Sequence, residues 1–274
     1  MDNRPGSDAV FSGSIPEFYD THMVPLIFEP YAADLARRVA ALDPSRVLEI
    51  AAGTGVVTRA LARALPARVE LIASDLNQPM LDRAAAVGTQ RPVQWQQADA
   101  MQLPFIDASF DVVACQFGVM FFPDKAHAFS EARRVLRPGG TLVFNVWDRI
   151  EENEFVHNIG KTLAGLFAAD PPRFMERTPH GYFDPVVIAR DLASGGFVAA
   201  PRFETMAARS RAVSAHAVAT AYCQGSPLRN EIEARAGAAG LAEVTAACAA
   251  GLASAFGAGP VDAKIQAHIV SVQR

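Results

Sequence analysis

The 274-residue chain predicts an α/β fold, a doubly wound, mostly parallel seven-stranded sheet with helical cover segments. Three observations carry that expectation. Short apolar runs alternate with helix-like stretches from residue 46 to residue 147, which is the rhythm of strand-helix-strand units. The runs are continuously apolar, as strands buried on both faces must be. The first run ends in a turn of small residues, Ala51-Ala52-Gly53-Thr54-Gly55, and a helix starts at once.

Residues 1–16 are polar and read as irregular. Apolar spacing over 18–42 is helical, and Pro25 and Pro30 divide it into two helices. Residues 46–50 (RVLEI) form the first strand and 56–65 the helix behind the turn. Residues 69–73 (VELIA) form the second strand, which ends at Ser74-Asp75. Asn77 as cap and Pro79 in the first turn open a helix over 79–87. Residues 93–97 and 110–115 are the third and fourth strands. A helix over 125–136 is stopped by Arg137-Pro138-Gly139-Gly140, and 141–147 (TLVFNVW) is the fifth strand. Beyond it, 152–167, 184–192 and most of 213–256 read as helical, with closing strands at about 197–211 and 265–273.

Composition narrows the function. Half the residues are hydrophobic and 20% are charged, which is globular. The net charge of −4, from 25 basic and 29 acidic side chains, is not the footprint of a nucleic-acid binder. Cys115, Cys223 and Cys248 are odd in number and far apart, so neither a disulfide framework nor a metal site is indicated. The N-terminus lacks the basic and apolar regions of a signal peptide. The alanine-rich run at 236–258 is interrupted by Glu243 and reads as a packed helix pair, so no membrane partner is expected. The expected compartment is a reducing cytoplasm.

The chemistry-bearing residues sit where strands end, the place where open α/β sheets bind ligands. Small residues in the 51–55 turn let a ligand lie against backbone N–H groups at a helix N-terminus. As a dinucleotide fingerprint the turn is poor, because Thr58 stands where a glycine or alanine belongs. Asp75, 20 residues beyond Gly55, can accept both hydroxyls of a ribose, in NAD as in any adenosine ligand; capping the next helix is the alternative. Asp99 can accept an adenine amine while the Ala100 N–H serves a ring nitrogen, or it can be a turn residue. Glu49, Asp75 and Asp99 end three successive strands, a coincidence that an adenosyl ligand explains.

These blocks, VLEIAAGTG, ASDLNQPML, QADAMQLPF, FDVVACQFGVMFFPD and EARRVLRPGGTLVF, resemble in order the class I S-adenosylmethionine-dependent methyltransferases. The nearest group is the ubiquinone- and menaquinone-biosynthesis-like "type 11" small-molecule enzymes. The resemblance covers about 46–147 and implies a Rossmann-like single domain over 1–274. Its cofactor-binding core would span about 43–147, and its helical covers 1–42, 148–195 and 212–256. It implies S-adenosyl-L-methionine as cofactor, S-adenosyl-L-homocysteine as product and a small organic acceptor. Ala51, Gly53 and Gly55 would pass beside the methionine part, with Glu49 supporting the turn. Asp75 would bind the ribose, Leu76 would flank the adenine, Asp99 and Ala100 would hold it, and Gln116 would border the methionine end. Ala51 departs from the family, which usually has glycine there.

Tyr19, His22 and His157 are the candidates for a catalytic group, with His180 also in the covers. Segment 18–31 and the stretch after Trp147 show no core of their own and are expected to roof the site as a lid. Two alternatives remain: a protein of this fold that binds the cofactor without methyl transfer, and an NAD(P)-dependent oxidoreductase.

Overall fold

The computed structural model describes residues 15–274, so the expectation for 1–16 falls almost wholly outside the described residues. In chain order the elements are α1 (Ile15–Phe18), a π-helix (Tyr19–Phe28), α2 (Glu29–Ala41), β1 (Arg46–Glu49), α3 (Val56–Ala64), β2 (Glu70–Asp75), α4 (Gln78–Val87) and β3 (Gln94–Gln97). There follow β4 (Phe110–Gln116), α5 (Lys125–Val135), β5 (Leu136–Trp147), α6 (Glu154–Leu166), α7 (Phe174–Arg177) and α8 (Pro185–Ser194). The chain closes with β6 (Arg202–Ala212), α9 (Ala215–Gln224), α10 (Leu228–Phe256) and β7 (Val261–Gln273).

The strands form one seven-stranded sheet in the order β3-β2-β1-β4-β5-β7-β6. The five from β3 to β5 are parallel to their neighbours. β7 runs antiparallel to β5, from Thr141↔Gln273 to Trp147↔Ala267. The Rossmann-like α/β class is therefore what the sequence predicts.

The chain divides into two compact units. The first holds Glu29–Trp147, Tyr182–Met206 and Ala267–Arg274. Its core is built from Leu35 and Val39 of α2 and Val57 and Leu61 of α3, packed with Val47, Val112 and Val143 of β1, β4 and β5. Each such side chain contributes about 1.5–3 kcal/mol by leaving water.

The second unit holds the described residues up to Phe28, with Asp148–Gly181 and Ala207–Gln266. It has a core of its own, which the sequence does not suggest: Val24, Phe155, Ile159, Val218, Tyr222, Cys248 and Leu252 are all buried. α9 packs on α10 and on the π-helix, and α6 packs on α10. Each segment supplies one apolar face, so taken singly each looks like a cover.

Three local departures have physical reasons. Pro25 does not split the first helical stretch, because it lies inside a π-helix; the wider turn relieves the clash that a proline ring makes with the preceding turn of an α-helix. Pro30 falls in the first turn of α2, where its missing N–H costs nothing. β5 begins at Leu136, before the Pro-Gly-Gly stretch, because Leu136 already pairs with Phe110, and the register then shifts before Val112↔Thr141. α10 is broken at Gly237 (φ 73°, ψ 166°) into two helices. Among the described residues it is the one helix long and apolar enough to cross a membrane by length and composition alone; its Val244, Cys248 and Leu252 are buried within the second unit.

Candidate functional site

The sheet register assembles the site in the first unit. Glu49 pairs with Ala73 on β2 and with Ala114 on β4. Asp75 pairs with Gln97 on β3, and Ala98 N–H donates to the Asp75 carbonyl at 3.0 Å. The strand ends carrying Glu49, Asp75, Asp99 and Gln116 thus lie side by side at the carboxyl edge of the sheet.

The 51–55 turn is tied to both neighbouring strands. Ile50 N–H donates to the Ala114 carbonyl and Ala52 N–H to the Ser74 carbonyl, both at 2.9 Å. Ala51, Gly53 and Gly55 all have positive φ, at 53°, 56° and 82°. Glycine takes that conformation without strain, whereas an alanine there costs roughly 1–2 kcal/mol. Gly55 is also needed for space. A Cβ on it would stand 3.1 Å from both Ala84 Cβ and Trp95 Cη2, with the Arg59 guanidinium at 3.4 Å. Arg59 itself donates to the Thr54 carbonyl at 2.7 Å.

Two buried carboxylates flank the turn. Glu49 Oε2 accepts the Thr58 hydroxyl at 2.6 Å. Burial pushes its pKa up to about 8, against the opposing pull of that hydroxyl and of Arg59. Thr58, which argues against a dinucleotide fingerprint, is thus the partner of Glu49. Asp75 accepts Gly53 N–H on Oδ2 and Asn77 N–H on Oδ1, each at 2.8 Å. Burial raises its pKa and these two backbone donors oppose the rise. Asp75 therefore joins the glycine turn to the start of α4, performing the helix-entry role and standing at the ligand edge together. The Asn77 amide Nδ2 also reaches Oδ1, at 3.4 Å, so of the roughly four lone-pair sites of a carboxylate the remaining capacity for a ligand hydroxyl is on Oδ2.

Asp99 is exposed, and its Oδ1 accepts Met101 N–H at 2.9 Å. It belongs to a tight turn closed by Gln102 N–H on its carbonyl, with Ala100 buried beside it. Leu76 is half-buried, and its carbonyl accepts the Gln97 amide at 2.9 Å. Gln116 is half-buried at the end of β4. The structure thus collects Glu49, Ala51, Gly53, Gly55, Asp75, Leu76, Asp99, Ala100 and Gln116 in one unit.

Tyr19, His22 and His157 belong to the other unit. There Tyr19 stacks on Phe28 with ring centroids 5.1 Å apart, and His22 lies 5.4 Å from Phe18. His157 is half-buried in α6. His180 is buried, its Nδ1 2.8 Å from the Asp148 carbonyl, and desolvation pulls its pKa down to about 4. Among the described residues no cluster of three or more His, Cys, Asp or Glu is placed to hold a metal ion.

Sequence reasoning missed three participants. Thr54 Oγ1 is buried in the turn without a hydrogen-bond partner, as a group awaiting a ligand would be. Gly118 touches the turn from the β4 side, and Asn145 lies buried beneath Gln116 and Phe117. The donor set fits an adenosyl amino-acid cofactor: a left-handed small-residue turn, an orphaned buried hydroxyl inside it and a buried carboxylate at the next strand end.

Comparison with known proteins agrees. A family profile described as a methyltransferase domain matches residues 48–144. A demethylmenaquinone methyltransferase of Deinococcus radiodurans is 42% identical over 114 residues, 39% of this chain and 47% of that relative. A demethylmenaquinone methyltransferase of Thermus thermophilus is 31% identical over 186 residues, 61% of this chain and 83% of that relative. The chain thus spans about half the length of the first of these relatives and most of the second. Among solved structures, the YcgJ protein of Bacillus subtilis superposes with a TM-score of 0.55 at 18% identity, over 89% of this chain and 99% of that one, which is a likeness of fold. Site, profile and relatives converge: the chain belongs to the class I S-adenosylmethionine-dependent methyltransferases, in their ubiquinone- and menaquinone-biosynthesis-like group.

Proposed function

We propose that this protein transfers a methyl group from S-adenosyl-L-methionine to a small organic acceptor. The observation that carries the proposal is the set of carboxylates Glu49, Asp75 and Asp99 on three adjacent strand ends around a left-handed turn. In this reading Asp75 accepts the ribose hydroxyls, and Asp99 and the Ala100 N–H read the adenine edge beside Leu76. Ala51, Gly53 and Gly55 let the backbone approach the methionine part, which Gln116 borders, and Glu49 holds the turn through Thr58. The cofactor supplies a methyl group already activated on a sulfonium sulfur. The chain's own task is then to align the acceptor with that methyl and keep water out, and positioning of this kind supplies much of a rate. The proposal therefore assigns no general base.

The names of the relatives support a quinone-derived acceptor as the first class to try, in its reduced quinol form, whose ring carbon or oxygen can attack the sulfonium methyl and then release a proton. The proposed setting is a reducing cytoplasm, with which the free thiols of Cys115, Cys223 and Cys248 agree. Calorimetry with S-adenosylhomocysteine and with NADH tests the cofactor. A methyl-transfer screen over chemically reduced demethylmenaquinone, other quinols and phenols tests the acceptor. Tight binding of NADH with no binding of S-adenosylhomocysteine would overturn the reading.

A further inference from the structure

Within the apolar run Leu142–Trp147 of β5, Asn145 alone is polar, and its side chain is fully buried. A buried amide is costly unless its hydrogen bonds are made. Asn145 stands in register opposite Gln116 on β4. Its Oδ1 accepts Phe117 N–H at 3.0 Å, and the same N–H also reaches the Asn145 carbonyl at 3.1 Å. A backbone N–H only donates, so Oδ1 must face it. Nδ2 is thereby turned toward Gln116, whose Oε1 it reaches at 3.4 Å. The Phe117 N–H thus orients the Asn145 amide, and Nδ2 in turn favours the Gln116 orientation that presents Oε1.

The residue held in this way is strained. Phe117 has φ 51°, a left-handed conformation that an aromatic residue rarely adopts. Its ring lies flat on Trp147, with centroids 3.8 Å apart and planes within 3°, and Tyr31 meets both rings edge-on at 5.2 and 5.3 Å. The next residue, Gly118, rests against Ala51 of the turn. Strain of this kind persists only where surrounding contacts over-determine it, and it gathers at functional sites.

We propose that Asn145 is a positioning residue of the methyl-transfer site: it holds the bend at Phe117 and aims the Gln116 carboxamide along the methionine edge of the cofactor turn. The inference rests on the functional reading above.

The test uses Asn145→Asp, with S-adenosylhomocysteine affinity measured from pH 5.5 to 8.5 and the fold followed by circular dichroism. A protonated carboxyl accepts from Phe117 N–H and donates to Gln116 Oε1, as the amide does. An ionised one only accepts, so it repels that oxygen or turns the Gln116 amide over to present its NH2, and either outcome changes what Gln116 shows the cofactor. Glu49 at the end of β1 and Asp75 at the end of β2, both raised by burial, are common to both proteins, so the affinity is compared with wild type at each pH. The expected result is near wild-type affinity at the acid end and at least a tenfold loss at the alkaline end. In a Gln116→Met background the added pH dependence should vanish, because the repelled oxygen is gone. A merely structural Asn145 would lower the melting temperature and leave the affinity of the folded protein parallel to wild type, which overturns the inference. Gln116→Met alone alters a half-exposed side chain and should fold; if it binds like wild type, the inference falls whatever becomes of the Asn145 variant. Wild-type protein that does not bind S-adenosylhomocysteine overturns the functional reading itself, and the inference with it.

Discussion

The methyl of Ala51 occupies the space that a side chain at position 118 would need: a Cβ built on Gly118 would lie 2.5 Å from Ala51 Cβ and 2.8 Å from Cys115 Sγ. Gly118 has φ −99°, so its smallness answers to space and not to backbone conformation. This chain carries an alanine at the start of the turn, and Gly118 makes room for it. Gly118→Ala should therefore lower the melting temperature and weaken S-adenosylhomocysteine binding several-fold. Ala51→Gly should stabilise, by about 1 kcal/mol, since it removes a left-handed alanine. The double variant should recover part of the loss, with a coupling of about 0.5–3 kcal/mol; Cys115 still crowds the site, so recovery is incomplete. Additive effects in a thermal-melt cycle would contradict the pairing.

Asp75→Ala should weaken S-adenosylhomocysteine binding at least tenfold, because hydrogen bonds to a charged acceptor contribute about 1.5–3 kcal/mol each. It also orphans the Gly53 and Asn77 N–H groups, so the melting temperature should fall too. Asp75→Asn keeps an acceptor for one of them and should melt closer to wild type while still binding weakly. Calorimetry showing unchanged affinity in either variant would remove Asp75 from the site.

Asp99 separates more cleanly, because it is exposed and the Met101 N–H that its carboxylate accepts can turn to water. Asp99→Ala should leave the melting temperature within a few degrees of wild type yet weaken adenosyl-ligand binding. Asp99→Asn should weaken it less, since its amide oxygen still accepts from an adenine amine. Equal affinities for all three proteins would leave Asp99 as a turn residue only.

Glu49 makes stability depend on pH. Its folded pKa of about 8 lies above the ordinary 4.5, so the fold favours the protonated form. The stability this confers is complete below about pH 4.5 and is lost as the pH rises toward 8, at up to about 1.4 kcal/mol per pH unit. Asp75 is shifted in the same direction. Glu49→Gln can still accept the Thr58 hydroxyl and has no proton to lose. Melting curves from pH 5 to 9 should diverge, with the variant falling less steeply than wild type. Parallel curves would show that Glu49 is ionised in the fold.

The parallel sheet was legible because its inner strands are buried on both faces and therefore continuously apolar in the sequence, as in VLEI and FDVVAC. The carboxylates were legible because each ends a run. Asn145 was hidden for the opposite reason: it interrupts TLVFNVW without ending it, and only the register places it against Gln116. Gly118 reads as one more loop glycine until the Ala51 methyl is seen beside it. The core of the second unit was invisible because its helices come from separate stretches of chain and none carries the whole apolar surface.

The placement of the indole rings has an optical consequence. The chain has two tryptophans, Trp95 and Trp147, and both lie in the unit that holds the sheet. One indole edge borders Gly55 in the 51–55 turn, and the other ring lies flat on Phe117 at the bend after β4. The second unit carries only the tyrosines Tyr19 and Tyr222 as phenolic chromophores. Emission excited at the red edge of the indole band is therefore a private channel for the sheet unit. Titrating a ligand while watching that channel in Trp95→Phe and Trp147→Phe proteins would report the turn and the bend as two separate signals, with no label attached.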